Sequence, residues 1–350
     1  LIALQEVEHA ALLADLSAVL AGPCGFTYAV SHLETPDARG IDNALLSDPR
    51  RVMVDSVTLR QTCSPVPTDI ADRSVNCPAG EQPLFGRPPL QVTAHVDGAP
   101  MTLFVNHFKS KRDGEIETGL ERIRQAVYLN GLATELLAAD PAARIVALGD
   151  FNDTELSPAL ALLTDTAQGG QFSSALAAVS PDRRYTYNFG GVSEAIDAVL
   201  LSPTLAAEVG AATIMHTNTD YPSGWRLDTS TERLAFRVSD HDIAAVVLGQ
   251  WPATPTPEPT VDDRPQTTND PPTTASPTAA PAAEDTPTAE PIVAGNLGLP
   301  TPSSVPTALP VVVEPARRSW AGAALLGGVV VVAVVAILLF VVRRFCKLTN

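Results

Sequence analysis

With 39 Asp and Glu against 23 Lys and Arg, this 350-residue chain carries a formal charge of −16. That excludes holding nucleic acid by bulk positive charge, but not gripping a few phosphates locally. Composition also divides the chain: 16 of its 31 prolines, with 12 threonines, fall between Trp251 and Ser319, which leaves residues 1–250 as one globular domain with room for a sizeable core.

The chain opens on Leu1 in mid-strand, without Met or a signal sequence, so the expectation is a fragment whose N-terminus lies upstream. Leu1 to Glu8 reads as an apolar strand ending on the polar pair Gln5-Glu6. Ala10 to Leu20 follows with Ala and Leu at helical spacing. Arg39-Gly-Ile-Asp reads as a loop entering a strand, with Asp42 near its start, and Val52 to Leu59 alternates as a half-buried strand does. Cys63 and Cys77 bracket an aperiodic excursion and suggest a disulfide, worth ~3 kcal/mol in the chain-entropy model.

Gln91 to Val96 and the strand from Met101 flank Asp97-Gly98, the signature of a hairpin. The second strand ends on Asn106 and His107, followed by Lys109, Lys111 and Arg112, a dense basic cluster in an acidic domain. Glu117 to Leu137 is an amphipathic helix with Leu120, Ile123, Val127, Leu132, Leu136 and Leu137 on one broad face. A short apolar run then stops on Gly149-Asp150-Phe151-Asn152, as a buried strand opening onto a site would. Ser157 to Leu163 reads as a short helix and Tyr185 to Asn188 as the start of a hairpin. Ala195 to Ser202 is a strand carrying Asp197 among apolar neighbours, where a carboxylate needs a partner. Asp240 and His241 stand where a loop enters the last apolar strand.

Glu6, His107, Asp150 with Asn152, and Asp240 with His241 thus occupy four strand ends, where ligand sites collect. Each alone also fits a bland use: Glu6 at a helix N-terminus, His107 as a structural histidine in a solvated loop, Gly-Asp-Phe-Asn as a turn. Four such coincidences together favour a site.

In this order, the motifs Gln5-Glu6, Arg87-Pro-Pro, Asn106-His107, Gly149-Asp-Phe-Asn, Ile196-Asp197 and Ser239-Asp-His resemble the deoxyribonuclease-I-like endonuclease/exonuclease/phosphatase superfamily. Bacterial secreted nucleases show the greatest likeness, through Asn-His-Phe-Lys-Ser-Lys and Arg-Gly-Ile-Asp. The resemblance covers residues 1 to about 250. It implies an α/β fold, a four-layer α-β-β-α sandwich of two packed mixed sheets with outer helices. It further implies that Glu6 and Asp240 hold a divalent ion, and that Asp150 and Asn152 position the scissile phosphate and its attacking water. His107 and His241 would flank the phosphate, oriented by Asp42 and Asp197 respectively, with Arg87 and Lys109 binding substrate phosphate. The oxygen ligands favour Mg²⁺, with Mn²⁺ or Ca²⁺ as alternatives. Two departures stand out: the superfamily's first-strand asparagine has no counterpart here, and Ala198 stands where Asp-His is frequent.

Residues 251–319 read as a disordered Pro/Thr-rich stalk. Trp320 to Val342 is a charge-free run of transmembrane length. Arg343, Arg344 and Lys347, against Arg317 and Arg318, orient residues 343–350 to the cytoplasm. The expectation is a cell-surface nuclease, with residues 1–319 outside, that cleaves DNA or RNA and needs no protein partner. A phosphatase or phosphodiesterase acting on lipid or small esters, and an inactive display module, are the competing readings.

Overall fold

The computed structural model describes residues 1–249 except 69, 71–74, 229 and 231–235. The expected stalk, membrane span and cytoplasmic tail lie outside the described residues. Among the described residues no helix is long and apolar enough to cross a membrane.

In chain order the elements are β1 (Ile2–Val7), α1 (Ala10–Cys24), β2 (Ala29–His32), β3 (Asp42–Ser47), β4 (Val52–Leu59), β5 (Cys63–Ser64), β6 (Gln82–Pro83), β7 (Leu90–Val96), β8 (Ala99–His107) and α2 (Glu115–Ala139). There follow β9 (Ile145–Asp150), α3 (Pro158–Thr164), β10 (Ser173–Ser174), β11 (Tyr187–Phe189), β12 (Val192–Glu194), β13 (Asp197–Leu201), α4 (Pro203–Ala206), β14 (Val209–Met215) and β15 (Ile243–Leu248). Local chemistry accounts for several boundaries. His9 caps α1 through its side chain, and Gly25, in the left-handed region, ends it. Ser157 caps α3 ahead of Pro158. Asp97 and Gly98, both at positive φ, make the tight turn between β7 and β8.

The larger sheet has the order β10-β13-β9-β8-β7-β4, and its one parallel pair, β8 with β9, is joined by the α2 crossover. The smaller sheet, β1-β3-β2, is antiparallel throughout. Among the described residues the parallel pair lies in the larger sheet, and β14 with β15 forms a further antiparallel pair, so the expected α/β fold with mixed sheet character fits. Period-2 alternation sorts the core. Ala44 and Leu46 of β3 pack with Leu13, Leu16 and Leu20 of α1, while Leu45 faces Leu90, Val92, Leu103 and Val105 of the larger sheet. The other face of that sheet meets α2 and α3 around Phe85, Phe104, Phe108 and Phe151.

One helix face differs from expectation. Leu132 is buried and Ile123, Leu136 and Leu137 pack against the core as expected, but Leu120 and Val127 are exposed, and α2 also buries Arg122, Gln125, Ala126, Leu129 and Ala133. A buried stripe built partly of polar and small residues carries little hydrophobic contrast along that edge, so apolar periodicity sets the edge of the face wrongly at Leu120 and Val127. Cys63 and Cys77 form the expected disulfide, with Cα atoms 5.6 Å apart.

Candidate active site

Strand register assembles the site. In the parallel pair β8/β9, His107 stands beside Asp150, and in the antiparallel pair β9/β13, Asp150 stands beside Asp197. Three chemistry-bearing residues thus share one row across adjacent strands, where β8 and β9 end and β13 begins. The neighbouring row is Asn106, Gly149 and Ala198. Gly149 has φ +126°, and a Cβ there would lie 2.2 Å from the Asn106 carbonyl oxygen. Only glycine lets β9 deliver Asp150 this close to β8.

Asp150 is buried, with Oδ1 accepting the Asn152 amide at 2.7 Å and Oδ2 accepting Asn152 Nδ2 at 3.0 Å. Asn152 also donates to the Phe108 carbonyl at 3.0 Å and adopts φ +51°, a left-handed conformation that asparagine tolerates. His107 Nε2 lies 3.5 Å from Asp150 Oδ2. His241 joins from a separate loop: Nδ1 is 2.7 Å from Asp197 Oδ2, and its backbone bridges Tyr187 of β11. The structure therefore brings His107, Asp150, Asn152, Asp197 and His241 together.

Their electrostatics diverge. Burial, then the nearby Asp197 charge, raises the Asp150 carboxyl to about 7. Burial, reinforced by the Arg87, Arg39 and His241 charges, holds His107 well below the usual imidazole range and therefore neutral. For His241, burial opposes the charge, but the Asp197 carboxylate, its hydrogen bond, Asp150 and Asp240 prevail and raise it to about 10.

Other expected residues take different positions. Asp42 does not serve His107. Its Oδ2 is 2.9 Å from His32 Nε2, and its Oδ1 accepts the Thr35 amide at 2.8 Å. β2 pairs with β3 so that His32 faces Ala44, two residues from Asp42, whereas His107 belongs to the other sheet. Arg87 is not an open phosphate ligand either, being buried with Nη1 2.6 Å from Asp37 and Nη2 donating to the Phe108 carbonyl. Lys109 Nζ lies 2.9 Å from Asp113.

Glu6 sits where the β1/β3 register breaks between Leu4 and Val7, at φ +58°, with its carboxylate exposed and 3.6 Å from Arg39. Asp240 is exposed as well. The Arg39 charge, beside Glu6, bears on His107, and the Asp240 charge bears on His241. Glu6 and Asp240 are both carboxylates, the donor type a hard divalent ion takes. The sets of three donors close enough to share an ion among the described residues are His32, Glu34 and Asp42, and Asp150, Asp197 and His241.

Several contributors escaped the sequence reading. Asp153, one residue past Asn152, is buried against Arg122 Nε at 2.8 Å. Asn218 holds the His241 loop by donating to the His241 carbonyl at 2.6 Å and accepting from Val238 at 3.1 Å. Tyr187 lies with its ring 4.9 Å from that of His241. Asp153 follows the Gly-Asp-Phe-Asn motif directly and was open to notice. Asn218 lies in a stretch without periodicity or motif.

The sequence matches the profile of the Endonuclease/Exonuclease/phosphatase family over residues 1–218. No curated protein matches it significantly. Among solved structures, truncated TDP2 of Caenorhabditis elegans superposes at a TM-score of 0.48 and 16% identity, covering 69% of this chain and 81% of that one. The human nocturnin catalytic domain gives 0.41 and 15%, over 70% and 80%. A mannosyl-6-phosphatase of Bacteroides thetaiotaomicron gives 0.41 and 14%, over 63% and 77%.

Proposed function

The chain belongs to the Endonuclease/Exonuclease/phosphatase family, and from that premise we propose that it is a divalent-metal-dependent phosphodiester hydrolase that cleaves DNA or RNA. One observation carries the reading: the row His107–Asp150–Asp197, closed by His241, sets two histidine–carboxylate pairs side by side. The succession of α1, smaller sheet, larger sheet and α2/α3 around three cores supports assigning the domain to the four-layer sandwich.

Asp150, fixed at both oxygens by Asn152 and with its carboxyl raised to about 7, takes the proton of the attacking water near neutral pH. The water oxygen bonds to phosphorus as the bond from phosphorus to the departing oxygen breaks. That oxygen receives its proton from the His241 imidazolium, which Asp197 orients. Neutral His107 supplies a hydrogen bond to a phosphate oxygen without adding a second positive charge. Glu6 and Asp240 would hold a divalent ion, Mg²⁺ with Mn²⁺ or Ca²⁺ as alternatives, which would supply neutralisation of the phosphate oxygens' charge.

The reading extends to location. The charge-free run 320–342 and the Pro/Thr-rich stretch before it support a surface-tethered enzyme, and a disulfide suits an oxidising exterior. Plasmid DNA, RNA and bis(p-nitrophenyl) phosphate, offered to the full-length protein with and without EDTA, test the chemistry. EDTA-sensitive cleavage of nucleic acid supports the proposal. Cleavage confined to the small ester moves the assignment to a small-ester phosphodiesterase, and no cleavage of any substrate overturns it. Release of the domain by protease from intact cells tests the tether.

A further inference from the structure

The hairpin β11–β12 extends outward from the site, and its two faces differ. Asn188 and Ser193 pair on one, with Asn188 Nδ2 donating to Ser193 Oγ at 3.0 Å. The other carries Tyr187, Phe189, Val192 and Glu194, since Tyr187 pairs with Glu194 and Phe189 with Val192. Phe189 is 74% exposed, unusual for a ring with no burial to gain. It stacks with Tyr187 at an interplanar angle of 5° and a centroid separation of 6.4 Å, and Tyr187 in turn leans on His241. A row of rings therefore leads from His241 to solvent.

The row is fixed in place. Tyr187 and His241 form a backbone bridge, and the Asp242 amide donates to the Thr186 carbonyl at 2.7 Å. The hairpin is thus registered to the same loop that positions the acid. At its inner end, Glu194 is tied to Lys111 Nζ at 3.0 Å, and Lys111 also faces Glu115 at 3.8 Å and Asp153 at 4.0 Å, which anchors the hairpin to the start of α2 and the loop after Asn152. The turn is Gly190-Gly191, with no side chains to present, so the apolar groups lie along the hairpin's face rather than at its tip.

We propose that Phe189, continuing the Tyr187 ring row beside His241, is a stacking platform for a nucleobase adjoining the scissile phosphate. A base offers a flat π-face of matching size to the exposed Phe189 ring. A bilayer-inserting hairpin would carry its apolar side chains on the tip, where glycines stand. This inference rests on the nuclease reading and narrows its substrate to strands with an accessible base.

The test uses full-length wild type, Phe189→Ala and Phe189→Trp on single-stranded oligonucleotides with one cleavable linkage, either intact or abasic next to it. Stacking worth ~1–3 kcal/mol per base predicts that Phe189→Ala raises KM on the intact strand by roughly 10-fold at little cost in kcat, and that Phe189→Trp restores it. On the abasic strand the three proteins should perform alike, and all should melt together, because the ring is exposed. Wild-type cleavage matched by Phe189→Ala on the intact strand overturns the stacking role alone. So does a loss that persists on the abasic strand. A wild type inert on every nucleic acid overturns the nuclease reading and this inference together.

Discussion

His241 Nδ1 lies 2.7 Å from Asp197 Oδ2, and Asp197 stands opposite Asp150 in the neighbouring strand. Burial works against the imidazolium, but these carboxylates and Asp240 outweigh it and raise His241 to about 10. A folded-state value above the unfolded one means the pair stabilises fully below about pH 6.5. That contribution is lost as pH rises from there through about 10. Histidine NMR titration of EDTA-treated protein should show the His241 ring protonated well into the alkaline range. Asp197→Asn should bring its midpoint down toward the ordinary value. A wild-type midpoint near 6.5 would contradict the assignment of His241 as the acid.

Asp150 behaves in the opposite sense. Its folded-state value near 7 lies above that of an unfolded aspartate, so ionising it costs stability progressively from about pH 4 to pH 7. Asp150→Asn removes that penalty and gives up one hydrogen bond from Asn152, a loss of ~1 kcal/mol. Urea melts at pH 8 should therefore find the variant at least as stable as wild type, while its turnover falls by at least ~10²-fold as the base is lost. Collapse of the fold together with activity would mean that Asp150 is chiefly structural.

Gly149→Ala should fail for a steric reason rather than a chemical one. Its Cβ would meet the Asn106 carbonyl oxygen at 2.2 Å, in a backbone conformation that side chains rarely adopt. The expected cost is ~3 kcal/mol or more. Gly98→Ala is the control: it also has positive φ, but nothing lies within 4 Å, and it should cost only ~1 kcal/mol. Equal denaturation midpoints for the two variants would show that the strand approach is not what requires Gly149.

Most of the site was legible because its residues end strands, and strand ends announce themselves as apolar runs stopping on polar groups. His107, Asp150 and Asp197 stand in one row because register is a property of pairing, which follows from the hydrophobic pattern. The partner of Asp42 was not legible. Choosing between His32 and His107 requires knowing which sheet each strand joins, and β2 is only four residues long. Arg87 misled for a related reason, since a guanidinium beside a site reads alike from sequence whether it faces substrate or is spent on Asp37 and a carbonyl. The buried stripe of α2 was obscured because Arg122 and Gln125 lie in it.

Arg122 gives that stripe its purpose. Its Nε donates to Asp153 Oδ2 at 2.8 Å, Nη1 to Thr118 Oγ1 at 2.6 Å and to the Lys109 carbonyl at 3.3 Å, and Nη2 to the Glu115 carbonyl at 3.1 Å. One fully buried guanidinium thus ties the start of α2 to the loop that follows Asn152. Arg122→Ala strands the Asp153 carboxylate in the interior and should cost ~3–5 kcal/mol. Arg122→Lys keeps the charge but loses the fork, and should recover only part of it. Arg122→Met with Asp153→Leu leaves no charge unpaired and should be markedly more stable than Arg122→Ala. Turnover should stay low in that double variant, because Asn152 loses the anchor next to it. A double variant that regains both stability and turnover would limit Arg122 to a packing role.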